Sequence, residues 1–334
     1  MSRIGIMGMG RMGERVAIAA RQLGHEVVRV FDVVEEAYGY RDPENKAVAT
    51  NDLQSFWSTD LDMVAIATYG PTHCPLVHEG LKAGHRRFMV EKPVCTSMVE
   101  GEDLLAAVQE ANARVVVNHG RRYCRVYDRL IDLDGSDEMG PLRAATLTMG
   151  AAGLGCMGTH FFDLFARVLG EPTHAFAQLS PTTAANPRGA EFDDPGVTGI
   201  LGFGQRRALI EMCDDLGIPG KVEFLYQNGR VVIENELQPW RVMARQEEDR
   251  DLPVTRYGMP LVEHPLEPFE PCEIIFATSG AVRDALSDDE PICGLDVGLK
   301  AFEMCAALRW SASIGEVVRF PLPQEARTAR YSIS

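Results

Sequence analysis

The 334-residue sequence has no CxxC pair and no close cysteine cluster; its eight cysteines run singly from Cys74 to Cys305. That spacing argues against a disulfide framework and for free thiols in a reducing cytoplasm. Basic residues are scarce, 33 Lys and Arg against 48 Asp and Glu, giving a net charge of −15. Nucleic acid and anionic membranes are bound by concentrated positive charge, so neither partner is expected. The opening MSRIGIMG enters a strand pattern directly and carries no charged-then-apolar leader. One stretch, Ala144 to Phe162, lacks Asp, Glu, Lys and Arg. Its Gly150, Gly153, Gly155, Gly158 and His160 suit a strand, a glycine-rich loop and a helix start better than a membrane span.

What is present is ordinary globular material, 46% hydrophobic and 24% charged, enough for two domains at roughly 150 residues each. Strands are predicted at Arg3–Met7, Glu26–Phe31, Met63–Thr68, Arg87–Val90 and Arg114–Asn118. Helical patterns lie between them at Arg11–Leu23, His73–Ala83 and Ser97–Ala111. This alternation predicts an α/β Rossmann domain with a doubly wound parallel sheet over residues 1–121. After Arg121 the texture changes. A helix at Val126–Leu133 precedes strands at Leu142–Met149, Ala175–Leu179, Val197–Phe203, Arg207–Cys213, Val222–Tyr226, Arg230–Glu234 and Arg241–Ala244. Consecutive strands without crossover helices predict an α+β domain over residues 122–334 with a mostly antiparallel, open-faced sheet. Asn228-Gly229 reads as a primed hairpin turn, and proline-rich Gln246–Pro271 as a loop. Helices at Glu273–Leu286 and Leu295–Ser311 and a strand at Val317–Pro321 complete the chain.

The sharpest motif is Gly8-Met9-Gly10-Arg11-Met12-Gly13, between a strand and a helix. Gly8 suits the tight turn, Gly10 lets a pyrophosphate approach, and Gly13 lets helix and strand pack closely. The pyrophosphate would sit on the free N–H groups around Arg11 and Met12 and on the positive helix end. Asp32 ends the second strand nineteen residues after Gly13. A carboxylate there accepts from ribose hydroxyls and repels a 2′-phosphate, which predicts NAD rather than NADP.

Glu91-Lys92-Pro93 follows the strand Arg87–Val90. Behind such a fingerprint, this motif resembles the Gfo/Idh/MocA family of nicotinamide-dependent sugar and cyclitol oxidoreductases. Thr68 and His73 match that family's Thr…His loop beside the cofactor, Arg122-Tyr123 its Arg–aromatic pair, and Gly158-Thr-His160-Phe-Phe-Asp163 its GxHxxD helix start. The resemblance implies NAD held by the first domain and by Glu91, Lys92 and Pro93. It also implies a catalytic pair of Lys92 and His160, and a homodimer or homotetramer. Arg122, Tyr123, Cys156 and Asp163 are expected substrate contacts. A neutral imidazole can take a hydroxyl proton near pH 7, and an ammonium can steady the developing alkoxide. The expected substrate is a sugar, amino sugar or cyclitol oxidised or reduced at a secondary carbon. A glycoside-cleaving enzyme with transient sugar oxidation and a non-catalytic NAD sensor are the alternatives. Four residues before the histidine, where the family commonly has aspartate, stands Cys156. A thiol of pKa ~8.5 supplies no permanent charge, which leaves Lys92 alone or Asp163 to serve. Cys156 and His160 have no further clustered ligands, so no metal site is expected.

Overall fold

The structure, a computed structural model, describes residues 1–150, 153–182, 184–186, 188–253, 260–265 and 272–333. It divides into two units. The first takes Met1–Tyr123, Ile274–Phe302 and Thr328–Ser334; the second takes Cys124–Glu273 and Glu303–Arg327. The break near residue 121 is therefore followed by a return, and the first unit is not one contiguous stretch.

The first unit runs β1 Arg3–Met7, α1 Arg11–Gln22, β2 Glu26–Phe31, α2 Pro43–Ala47, β3 Ala49–Thr50, α3 Leu53–Trp57 and β4 Met63–Ile66. It continues through α4 Gly70–Lys82, β5 Arg87–Val90, α5 Met98–Glu110 and β6 Arg114–Val117. The strands form one parallel sheet in the order β3-β2-β1-β4-β5-β6. Short crossover helices cover its faces, so β4 is buried at every position and β1 at all but its first. That is why these strands are continuous apolar runs rather than alternating ones. Helix starts are marked in the sequence: Asp42, Asp52 and Ser97 each cap the next helix by accepting a backbone N–H. β3, α2 and α3 were not anticipated; each is five residues or shorter and shows little periodicity.

The second unit contains α6 Asp128–Asp132, β7 Leu142–Met149, α7 Thr159–Leu169, β8 His174–Leu179, β9 Val197–Phe203 and β10 Arg206–Met212. It goes on with β11 Lys221–Tyr226, β12 Gly229–Ile233, β13 Arg241–Arg245 and β14 Leu261–Pro265. The chain then forms α8 Ile274–Leu286 in the first unit, α9 Leu295–Ile314 across the unit boundary, β15 Val318–Arg319 and α10 Gln324–Thr328. The nine described strands order as β14-β13-β12-β11-β7-β10-β9-β8-β15. Only the β7–β10 pair is parallel. On β8 to β10 inward Ala175, Ala177, Leu201 and Ala208 alternate with outward Gln178, Thr198, Ile200 and Leu209, leaving one face open.

Three expectations need correction. Cys124 and Cys272 form a disulfide with Cα atoms 5.6 Å apart, so only six thiols are free. Sequence spacing missed it because the partners lie 148 residues apart. The β11–β12 hairpin exists, with Leu225 opposite Arg230, but neither Asn228 nor Gly229 has the positive φ of a primed turn. Gly229 instead permits close strand approach, since a Cβ there would meet the Met243 carbonyl oxygen at 2.3 Å. Within the expected loop Gln246–Pro271, residues 261–265 pair with β13 as an edge strand, where proline is tolerated. Residues 254–259 and 266–271 of that loop, with Pro268 and Pro271, lie outside the described residues, as do 151–152 of the Ala144–Phe162 stretch. None of the described helices is long and apolar enough to cross a membrane.

Candidate functional site

The glycine loop joins β1 to α1. Gly8 sits at φ +86°, in the left-handed region, and donates its N–H to Phe31 O at 2.8 Å. A Cβ at Gly13 would lie 1.9 Å from the Gly8 carbonyl oxygen, so this glycine lets helix and loop touch. At Gly10 the same construction meets nothing within 4 Å. Gly10 is also the N-cap of α1 and makes no side-chain capping bond. The first turn of a helix leaves N–H groups without intrahelical partners. An open space in front of them, on the positive end of a twelve-residue helix, suits a pyrophosphate.

Asp32 lies immediately past β2. Its Oδ2 accepts the Met9 N–H at 2.6 Å and its Oδ1 accepts the Val34 N–H at 2.8 Å. A carboxylate offers about four acceptor positions, so two are left for ribose hydroxyls. Tyr38 beside this loop carries the Arg41 guanidinium 3.4 Å above its ring and that of Arg11 at 5.5 Å.

The carboxyl ends of β4, β5 and β6 bring together the next group. The Thr68 hydroxyl oxygen accepts from the Thr72 hydroxyl at 2.7 Å. Buried His73 places Nδ1 2.8 Å from Pro93 O and Nε2 3.2 Å from Thr68 O. Burial pushes its pKa down to about 4, against the raising effect of those carbonyls. A neutral ring donates through one nitrogen only, so His73 ties the Thr68 loop to the Glu91–Pro93 turn and presents no free edge. Its expected place at the cofactor is thus indirect. The Lys92–Pro93 peptide is cis. Glu91 is buried and accepts from Asn118 Nδ2 at 2.7 Å. Burial raises its pKa, opposed first by the Lys92 charge and then by the Asn118 bond. Lys92 itself is half-buried beside it.

Tyr123 departs from expectation. Its ring packs on the first unit's core, and its hydroxyl donates to Asp284 Oδ2 at 2.8 Å. Asp284 also pairs with Arg114 at 2.7 Å and accepts the Cys293 N–H at 3.2 Å. Tyr123 is therefore a tether between α8 and the 3-10 turn Gly120–Tyr123 rather than an open substrate contact. Arg122 stands on that turn, half-buried, its N–H donating to His119 O at 3.0 Å.

In the second unit, Gly153–Gly158 form a π-type turn leading into α7, which carries His160 and Asp163. His160 is half-buried. Asp163 is 1% exposed, which favours fixing a neighbour over touching a substrate. The residue that sequence reasoning missed is Asp194. Its two oxygens accept the N–H groups of Gly155 at 2.7 Å and Cys156 at 2.8 Å. A negative charge thus sits against the helix start beside Cys156, although it arrives from a loop 38 residues on. Arg188 also reaches the Cys156 thiol at 3.8 Å. No cluster of three or more metal-ligating side chains occurs among the described residues.

A parallel sheet in this order, with a glycine cradle and an acidic residue past β2, defines a dinucleotide-binding Rossmann domain. Residues 2–119 match the model of the Gfo/Idh/MocA family, described as an oxidoreductase family with an NAD-binding Rossmann fold. Inositol 2-dehydrogenase 3 of Saccharopolyspora erythraea is 31% identical over 150 residues, which span 42% of this chain and 43% of that protein. The chain thus matches less than half the length of this curated relative. Two solved structures share the fold across nearly the whole chain. The aldose-aldose oxidoreductase of Caulobacter crescentus, complexed with glycerol, superposes with TM-score 0.75 at 19% identity, covering 96% of this chain and 99% of that one. The WlbA dehydrogenase of Bordetella pertussis, in complex with NADH and UDP-GlcNAcA, gives TM-score 0.72 at 18% identity, with the same coverage.

Proposed function

We propose that the protein is an NAD-dependent oxidoreductase that moves a hydride between the nicotinamide and a secondary hydroxyl or ketone carbon of a sugar, amino sugar or cyclitol. The observation that carries this reading is the open cradle at Gly10, facing a capless helix end and flanked by the Asp32 carboxylate. Gly8, Gly10, Arg11, Met12 and Gly13 would hold the pyrophosphate, and Asp32 the adenosine ribose. Bound NAD supplies the hydride acceptor. Lys92 orients the reacting hydroxyl and steadies negative charge on its oxygen. His160 accepts the hydroxyl proton, a task suited to the lone pair of a neutral imidazole nitrogen. Asp194, and not Cys156, supplies the fixed negative charge at the start of the histidine helix. Substrate class is supported by the sugar and cyclitol names of the similar proteins.

We also propose a homo-oligomer of cytoplasmic protein. Ile200 and Leu209 are exposed on the open sheet face at 37% and 39%, as an apolar contact surface would require.

The test is growth of the nicotinamide absorbance band when protein and NAD meet a panel of sugars, amino sugars and cyclitols, with Lys92→Ala as control. NADH formed by the wild type alone supports the assignment. Conversion of a glycoside without net NADH would replace it with the cleavage reaction.

A further inference from the structure

The turn that presents Lys92 is gripped from behind by the last described residues of the chain. Glu91 and Pro93 to Met98 are all buried, and Lys92 alone among them is half-buried, so the segment meets solvent at Lys92. Three of its carbonyls have partners. Pro93 O lies 2.8 Å from His73 Nδ1, Val94 O accepts the Cys74 thiol at 3.3 Å, and Thr96 O accepts the Tyr331 N–H at 2.9 Å. The first two partners come from α4, the third from residues beyond α10 that return to the first unit.

Tyr331 and Ile333 are 9% and 0% exposed and Ser332 between them is exposed, so alternate side chains face inward. The Ile333 carbonyl closes on α4: a Cβ at Gly70 would stand 3.0 Å from Ile333 O and 3.4 Å from Pro93 Cγ. Gly70, Ile333 and the Pro93 ring thus meet at one point with too little room for a methyl. Just before them Arg330 pairs with Glu100 at 3.7 Å. Glu100 in turn accepts from the Thr96 N–H at 3.1 Å and from its hydroxyl at 2.9 Å. A lysine ammonium rides on a flexible four-carbon stem, so its backbone turn must be fixed for the charge to be placed.

Resting on the role of Lys92 proposed above, we infer that residues 331–333 are a positioning brace for that turn. The Tyr331 N–H holds Thr96 and Ile333 backs Pro93, so that Lys92 keeps its place against the reacting hydroxyl.

The experiment follows backbone amide exchange by mass spectrometry in the intact protein, in a chain stopped after Arg330, in Ile333→Ala and in Gly70→Ala. The last adds a methyl from the α4 side, keeps the brace itself, and stands where the shortened chain fails to fold. Exchange across residues 91–97 should quicken about tenfold in each, and across the glycine loop 7–13 by less than about twofold. Ile333→Leu, of equal volume, should restore slow exchange. ADP-ribose should bind within about twofold of wild type by calorimetry. With the substrate found in the carbohydrate panel, kcat should fall about tenfold while the KM for NAD stays within about twofold. On a Lys92→Ala background the same changes should cost nothing further. Unchanged exchange across 91–97 would overturn the inference, as would equal quickening at 7–13, the mark of general destabilisation. A kcat loss that persists in full on Lys92→Ala would overturn it too. Lys92→Ala that turns over like wild type would instead remove the role of Lys92, with exchange still deciding whether the brace exists.

Discussion

The Met9 N–H donates to the Asp32 carboxylate at 2.6 Å, so the residue that would read the ribose also holds the glycine loop. Asp32→Ala should therefore have two effects. It should relax the preference against NADPH, because the repelling charge is gone, and it should weaken NADH by about tenfold through a looser loop. Binding of both dinucleotides by fluorescence checks this; a wild type that already prefers NADPH would refute the cofactor choice.

Two glycines of the cradle should fail differently when changed to alanine. Gly13→Ala places a methyl 1.9 Å from the Gly8 carbonyl oxygen, so the loop or helix must shift and the melting temperature should fall. Gly10→Ala meets no protein atom and its φ of −71° suits alanine. That variant should keep its melting temperature and lose NADH affinity, since the methyl occupies the pyrophosphate's space. Calorimetric unfolding and titration together separate the two.

Lys92→Ala should lower turnover by about a hundredfold or more, the scale for removing a group that stabilises charge in the transition state. Affinity for NADH should change by no more than a few-fold. Steady-state rates at saturating NAD give the first quantity and equilibrium titration the second.

His73 makes stability pH-dependent. Its folded pKa of about 4 lies below the unfolded value of 6.5, so the unfolded chain binds more protons between those values. The contribution is fully present above pH 6.5 and is lost progressively as pH falls towards 4, amounting to roughly 3 kcal/mol at the end of that window. Urea midpoints of the wild type should fall across that window more steeply than those of His73→Gln.

The disulfide predicts a thiol count. Denatured but unreduced protein should react with six equivalents of thiol reagent, corresponding to the free cysteines, and reduction should expose all eight. Eight before reduction would mean that Cys124 and Cys272 are not joined.

Much of the fold was legible because its signals are local. β1, β2, β5, β7 and β9 begin and end where the expected apolar strand patterns do. The glycine fingerprint was readable for the same reason: its turn, approach and packing duties fall within six residues. What escaped depends on distant pairing. Asp194 reaches Cys156 across 38 residues, and Tyr123 finds Asp284 across 161. Neither leaves a periodic trace, and an Arg–aromatic pair beside a domain boundary suggests a ligand as readily as a tether. β14 was hidden by Pro265 at its end and Pro260 just before it, which an edge strand tolerates.

The return of α8 has a consequence for synthesis. Ala281, Val282 and Ala285 of α8 share a core with Val16, Ala17 and Ala20 of α1. The first 123 residues leave the ribosome about 150 residues before α8 begins to, a delay of roughly 8–30 s at bacterial or eukaryotic translation speeds. For that interval the nascent Rossmann half carries an uncovered apolar stripe on α1. Chaperone capture of stalled nascent chains should therefore peak before residue 274 emerges and drop once α8 can dock.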